Sequence, residues 1–213
     1  MSFSGIDSSG KTTQINMLYD YCLKKGIRVK KIWGKARGTP GILLVKSIVR
    51  RDRKMNFEQK MSYRDQIYKS TVKKKLLLIA SILDLCWYFG IYYRFLDFFN
   101  TVLICDRYIW DTYVELKTEF SGIEIDRWPL WKFAVSVSPK PETSFVFTIT
   151  AEESLKRDKE KNEAAPDSLN IKKAKISLYM DLMEEGKWTH VMDGLKPIDE
   201  IHKSILEALS IEN

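Results

Sequence analysis

Gly5-Ile6-Asp7-Ser8-Ser9-Gly10-Lys11-Thr12 sets two glycines, a lysine and a hydroxyl residue at the spacing Gly-x4-Gly-Lys-Ser/Thr, which is the spacing of a phosphate cradle. Gly5 and Gly10 allow backbone angles that turn successive N–H groups inward, and the dipole of a helix starting near Lys11 favours an anion there. In this reading Asp7, Ser8, Ser9 and Thr13 complete the cradle, Lys11 reaches the β- and γ-phosphates of a nucleoside triphosphate, and the Thr12 hydroxyl ligates Mg²⁺. A glycine-serine turn that merely caps a helix is the structural alternative. Farther along, Val102-Leu103-Ile104-Cys105 is an apolar run ending in Asp106. Alone it is an ordinary strand with a capping aspartate; beside the cradle, Asp106 becomes the carboxylate partner of the Mg²⁺ shell, because a hard cation wants oxygen ligands.

These residues need elements to hold them. Short apolar, β-rich runs lie at Val29–Trp33, Thr101–Cys105, Ser144–Thr150 and Trp188–Met192, with Met1–Ser4 as the stub of a first strand. Helical spacing covers Thr12 to Lys25, where Gly26 is placed to end it, a long run from Phe57 to Phe99 expected to be broken, and the charged segments Ala151–Lys161 and Asn170–Glu185. Strand and helix in alternation predict an α/β fold, a parallel sheet covered by helices on both faces. No repeat or Gly/Pro-rich linker divides the sequence, so residues 1–213 read as one domain.

Composition excludes disordered, collagenous and disulfide-stapled classes: 45% of the residues are hydrophobic and Cys22, Cys86 and Cys105 are few and scattered. With no apolar leader after Met1, the expected location is cytoplasmic. The net charge of +7 suits nucleic acid, an acidic membrane surface or a phosphorylated small molecule. No nucleic-acid motif is recognisable, and a phosphate cleft accounts for much of the excess, so nucleic acid is not expected as a partner. Leu76–Tyr93 has Asp84 as its only charge and approaches membrane-spanning length. The centre of a large domain also contains helices apolar all round, and a buried core helix is the expectation here.

In combination, Phe3 through Gln14, Arg37-Gly38-Thr39-Pro40, Leu77-Leu78-Ile79-Ala80, Asp106-Arg107-Tyr108, Pro139-Lys140-Pro141, Ala151 through Arg157 and Val191-Met192-Asp193-Gly194 resemble the thymidylate kinase family of nucleoside monophosphate kinases over almost the whole chain. The resemblance implies a P-loop NTPase fold with a five-stranded parallel sheet and a lid segment near 151–170. It further implies ATP and Mg²⁺ as cofactors, a nucleoside monophosphate as acceptor, and a homodimer packed through helices, which would cover Leu76–Tyr93 without lipid. By matching position, Asp7 stands near the acceptor sugar, Arg107 holds the acceptor phosphate, Arg157 reaches the donor phosphates from the lid, and Arg37 is a second phosphate clamp for which Lys35 competes. Phosphoryl transfer calls for positioning and charge neutralisation, and arginine's planar fork suits both phosphate positions. Arg107 equally fits a strand-end residue paired with a surface acid, and Arg157 one of many solvated charges on a helix face.

Two departures bear on the acceptor. Where thymidylate kinases of bacteria carry a base-reading arginine after the Leu-Leu-Phe-Ala motif, this chain has Leu83; after Asp106-Arg107-Tyr108, where two small hydroxyl residues are usual, it has Trp110 and Asp111. Tyr108, Trp110 and Tyr113 could stack a planar ring or simply be core, and Tyr108 and Asp111 are taken as acceptor-pocket residues. Strong selection for thymine lacks its polar reader. The expected activity is therefore ATP-dependent phosphoryl transfer to a nucleoside monophosphate, dTMP first, with another phosphorylated or phosphonylated metabolite, or a nucleotide-binding regulatory module without turnover, as alternatives. His190 and His202 read as structural.

Overall fold

Five strands form one parallel sheet in the order β2-β3-β1-β4-β5 in a computed structural model that describes residues 1–34, 71–97, 101–162 and 166–210. The strands are β1 (Ser2–Gly5), β2 (Val29–Trp33), β3 (Val102–Asp106), β4 (Ser144–Thr148) and β5 (His190–Asp193). All pairings are parallel, with Phe3 opposite Asp106 and Phe145, Trp33 opposite Asp106, and Thr148 opposite Asp193. Because every strand runs the same way, Gly5, Trp33, Asp106, Thr148 and Asp193 all end at one edge. The expected α/β architecture is what forms, and β1, short as it is, takes the centre.

A central strand is covered on both sides, and alternation along β1 shows how. Phe3 is fully buried with Phe145 and Phe147 beside it (ring centroids 5.0 and 6.0 Å away), in one cluster with Ile15 and Leu18 of helix α1 (Lys11–Lys24) and Ile201 and Ile205 of helix α7 (Ile198–Ala208). Ser4 points the other way, to helix α3 (Ile109–Glu119), where its hydroxyl donates to Asp111. Helix starts follow local chemistry. The Thr150 hydroxyl accepts from the Glu153 N–H to cap α5 (Ala151–Glu160), and Ser168 accepts from the Ile171 N–H to cap α6 (Leu169–Glu184). In α3 the reciprocal half of a capping box operates, with the Asp111 carboxylate reaching back to the Tyr108 N–H.

The described residues fall into two compact units: the sheet with its helices, and a helical unit made of residues 71–95 and 119–139. In the second, helix α2 (Thr71–Trp87) continues through a π-helical segment, Tyr88–Tyr93, and packs with α4 (Pro129–Val137). The sequence pattern suggests a helix buried all round, but α2 has two faces. Leu78, Ile82, Leu85 and Phe89 are fully buried, whereas Leu76, Leu83, Trp87, Ile91 and Phe95 are exposed at helical spacing. An all-apolar run hides this division because its two faces have the same residue types. Lys75–Leu96 is long and apolar enough to cross a membrane by length and composition, with 33% of its most apolar 18 residues buried. Residues 57–70 and 98–99 of the expected long helix lie outside the described residues.

Phe3→Ala removes the ring on which β4 and α1 converge and should cost about 3–5 kcal/mol of folding stability, read as a lowered urea midpoint. A midpoint near that of the wild type would mean that the core is organised elsewhere.

Candidate active site

The turn from Gly5 to Thr12 leaves the carboxyl end of the central strand and enters α1, so its backbone arches over the sheet edge. Gly5 is held at φ 134°, where an added Cβ would lie 2.5 Å from the Phe147 carbonyl oxygen, and Gly10 at φ 95° is the left-handed residue that opens the helix. Ser8 adopts φ 59° without being glycine. Such a conformation is retained where the surroundings over-determine it, as they do in ligand cradles.

Lys11 is 5% exposed. Its Nζ donates to the Ile6 carbonyl oxygen at 2.5 Å and to Ser9 Oγ at 3.0 Å, folding the side chain back over its own loop. Burial, and then the nearby Arg107 charge, pull its pKa from 10.5 to about 7, while Asp111, Asp7 and Asp106 oppose the fall. A buried ammonium whose hydrogen bonds go to loop oxygens and whose neighbouring carboxylates do not offset burial is poorly compensated; an anion set in the cradle would restore its charge. The residues thus fit a polyphosphate. Thr12 and Thr13 are exposed at the mouth of the helix, and Asp106 at the end of β3 lies close enough to act electrostatically on Lys11. Among the described residues no group of three His, Cys, Asp or Glu side chains could hold a metal. Mg²⁺, which keeps most of its waters, fits a site of one hydroxyl and one carboxylate completed by phosphate oxygens.

Arg107 stands beside the loop with its backbone at φ 75°, a second non-glycine residue in the left-handed region. Its guanidinium donates to the Gly5 carbonyl oxygen at 2.6 Å, to Asp111 Oδ1 at 3.3 Å and to Asp7 Oδ1. Asp7 is half-buried, so the pair reaches solvent through its carboxylate. Asp111 is completely buried. Its Oδ1 accepts from the Gly5 N–H at 3.1 Å and from Tyr179 Oη at 2.7 Å, and its Oδ2 from Ser4 Oγ at 2.6 Å and the Tyr108 N–H at 2.9 Å. Burial, with the Asp111 charge next, drives the Tyr179 hydroxyl well above its usual pKa, so it remains a donor.

Arg157 comes from α5. Its Nε bonds Glu153 at 2.7 Å while its Nη atoms donate to the carbonyl oxygens of Ser8 at 3.4 Å and Gly194 at 3.1 Å. It therefore lies against the outer side of the same loop, together with Lys161 Nζ, 3.4 Å from Ser8 Oγ. The structure brings Asp7, Lys11, Asp106, Arg107, Asp111 and Arg157 to one edge of the sheet. Tyr108 and Tyr113 are buried, and Trp110 stands edge-on to Tyr113 with Lys187 Nζ 4.8 Å from its ring centre, which makes these aromatics packing rather than an open platform. Lys35, Arg37 and residues 163–165 of the expected lid lie outside the described residues. Leu83 is exposed in the helical unit. Sequence reading did not single out Ser4, Ser154, Asp158, Lys172 or Tyr179, all of which touch this edge or its supports; no local spacing marks them.

Comparison with proteins of known name gives one consistent direction. The chain is 28% identical to the thymidylate kinase of Sulfurihydrogenibium sp. (strain YO3AOP1), across 98% of this chain and 95% of that protein. It is 26% identical to the thymidylate kinases of Thermoanaerobacter sp. (strain X514) and Thermoanaerobacter pseudethanolicus (strain ATCC 33223 / 39E), in each case across 98% of this chain and 96% of the other. No family model matches the chain. The similarity runs end to end at low identity, the relation of a divergent relative.

The lysine's depressed pKa has a consequence for stability. Between pH 7 and 10.5 the unfolded chain keeps the Lys11 proton that the folded chain has lost, so folding stability should rise with pH across that window. Urea titrations should show the wild type gaining on Lys11→Met by up to about 1.4 kcal/mol per pH unit above pH 7. A difference independent of pH would show that Lys11 titrates as an ordinary lysine.

Proposed function

We propose that the chain is an ATP-dependent nucleoside monophosphate kinase, with dTMP as the first acceptor to test. The observation that carries the reading is the pair of buried cations, Lys11 on the loop 5–12 and Arg107 beside it at the end of β3, bonded to Asp7 of the loop. The names of the full-length relatives support it independently.

In this reading the turn 5–12 binds the donor triphosphate through its backbone and Lys11, and α1 adds its positive end. Lys11 serves the charge that grows on the transferring phosphoryl oxygens, so its contribution appears in the transition state more than in the ground state. Arg107, fixed by Asp111 and Gly5, turns from Asp7 toward the acceptor's phosphate and aligns it for in-line attack. Arg157 leaves the carbonyl oxygens of Ser8 and Gly194 to meet the donor phosphates. Mg²⁺, held by Thr12 and Asp106, would neutralise the donor phosphates. The exposed apolar face of α2, from Leu76 to Phe95, is then the surface on which a second copy packs, in a cytoplasmic homodimer.

A second acceptor class is favoured by Asp111, which has both oxygens engaged inside the protein and so is no polar reader of thymine. Another phosphorylated or phosphonylated small metabolite is the alternative acceptor. Turnover of ATP with a panel of monophosphates decides between them. dTMP ranking first supports the primary reading, dTMP no better than the rest removes it, and acceptor-independent nucleotide binding alone would leave a regulatory module.

Lys11→Ala should bind ATP but lose roughly a hundred- to a thousandfold in turnover, as loss of a transition-state donor does. Near-normal turnover would contradict the role. Arg107→Ala should raise the acceptor's KM and lower kcat while calorimetry finds ATP binding intact; loss of ATP binding alone would move Arg107 to the donor side.

A further inference from the structure

Behind the loop lies a buried polar arrangement that the proposed chemistry does not use. Lys172 of α6 is 1% exposed, and its Nζ bonds Asp158 Oδ2 at 2.6 Å and Ser154 Oγ at 2.7 Å, both on α5. Ser154 Oγ in turn donates to the carbonyl oxygen of Asp7 at 2.8 Å. The ammonium thus orients a hydroxyl, and the hydroxyl holds the backbone of the residue whose side chain meets Arg107. As a source of stability this arrangement is poor. Asp158 Oδ1 is buried without a partner, and a buried ion pair is often no better than apolar residues of the same volume. What it supplies is direction.

The same helix reaches the loop a second time. Tyr179 follows Lys172 by two turns, so the two share one face of α6 about 10 Å apart along its axis. The Tyr179 hydroxyl donates to Asp111 Oδ1, the oxygen that also accepts from the Gly5 N–H and from Arg107. One arm therefore ends on the backbone of Asp7 and the other on the carboxylate that holds Arg107. These are the two members of the pair that faces solvent.

We propose that α6 is a brace for the Asp7–Arg107 pair, with Lys172, acting through Ser154, and Tyr179, acting through Asp111, as positioning residues. The inference rests on reading that pair as the acceptor's side of the site. Any movement of α6 relative to the sheet would re-aim both side chains together while leaving Lys11, which α6 does not touch in these contacts, on its own loop oxygens. Acceptor binding and donor binding are thereby separable by mutation.

Ser154→Ala and Tyr179→Phe each delete one hydroxyl and keep the carbon framework. Five quantities are read: thermal midpoint, ATP affinity by calorimetry, KM and kcat with dTMP, and the Nη–H resonances of Arg107, assigned by their loss in Arg107→Lys. The brace predicts shifted or broadened Arg107 resonances in both variants, acceptor KM raised roughly five- to tenfold for each lost hydrogen bond, and unchanged ATP affinity. Arg107 resonances that stay put in both variants overturn it, as does a parallel fall of ATP and acceptor affinity that tracks the thermal midpoint. If Ser154→Ala fails to fold, Tyr179→Phe alone decides by the same criteria. If the wild type phosphorylates no monophosphate, the proposed function fails while the Arg107 resonances still judge the brace.

Discussion

Two cations are buried where the central strand ends, and the surrounding structure is arranged around the cost of keeping them there. A charge out of water needs partners, and Arg107 receives them from Asp7, Asp111 and the Gly5 carbonyl oxygen. Lys11 receives less, hydrogen bonds to loop oxygens and carboxylates that do not offset its burial, and yields its proton readily. The asymmetry has a physical meaning: the paired arginine is already compensated, whereas the under-compensated lysine has more to gain from a nearby anion.

Asp111 ties these charges to the fold. Its position on the first turn of α3 lets one carboxylate cap its own helix, close the β1 strand through Ser4 and Gly5, and accept from Tyr179 across the sheet's covering layer. Local and long-range demands meet in one side chain that water cannot reach, so each bond there is strong and each omission costly. The parallel sheet makes the convergence possible, since all its strands end at the same edge and every following loop is delivered there.

The helical unit is organised on another principle. One face of α2 is buried among its neighbours and the opposite face carries Leu76, Leu83, Trp87, Ile91 and Phe95 in the open. An apolar face of that extent is expected to be covered in the working molecule. Leu83 belongs to that exposed face.

The primary sequence determined where the five strands lie and the glycine-lysine loop after the first, because both are written in local spacing, whereas the helices at 109–119, 129–137 and 198–208 were not legible in it. The strand runs at 29–33 and 101–105, the helix ended by Gly26, and the glycines, Lys11 and Thr12 of the loop all act within a turn or two of their neighbours. Alternation and helical period record one face of an element at a time, so α2 read as apolar throughout and its division into a buried and an exposed face was invisible. Only the tertiary structure decided the rest. Ser4, Asp111 and Tyr179 lie far apart in the chain, as do Asp7, Ser154 and Lys172, and no spacing rule connects them. They meet because stacking helices on both faces of a parallel sheet brings side chains with no sequence relation into one water-free layer, where each must find its hydrogen-bond partner.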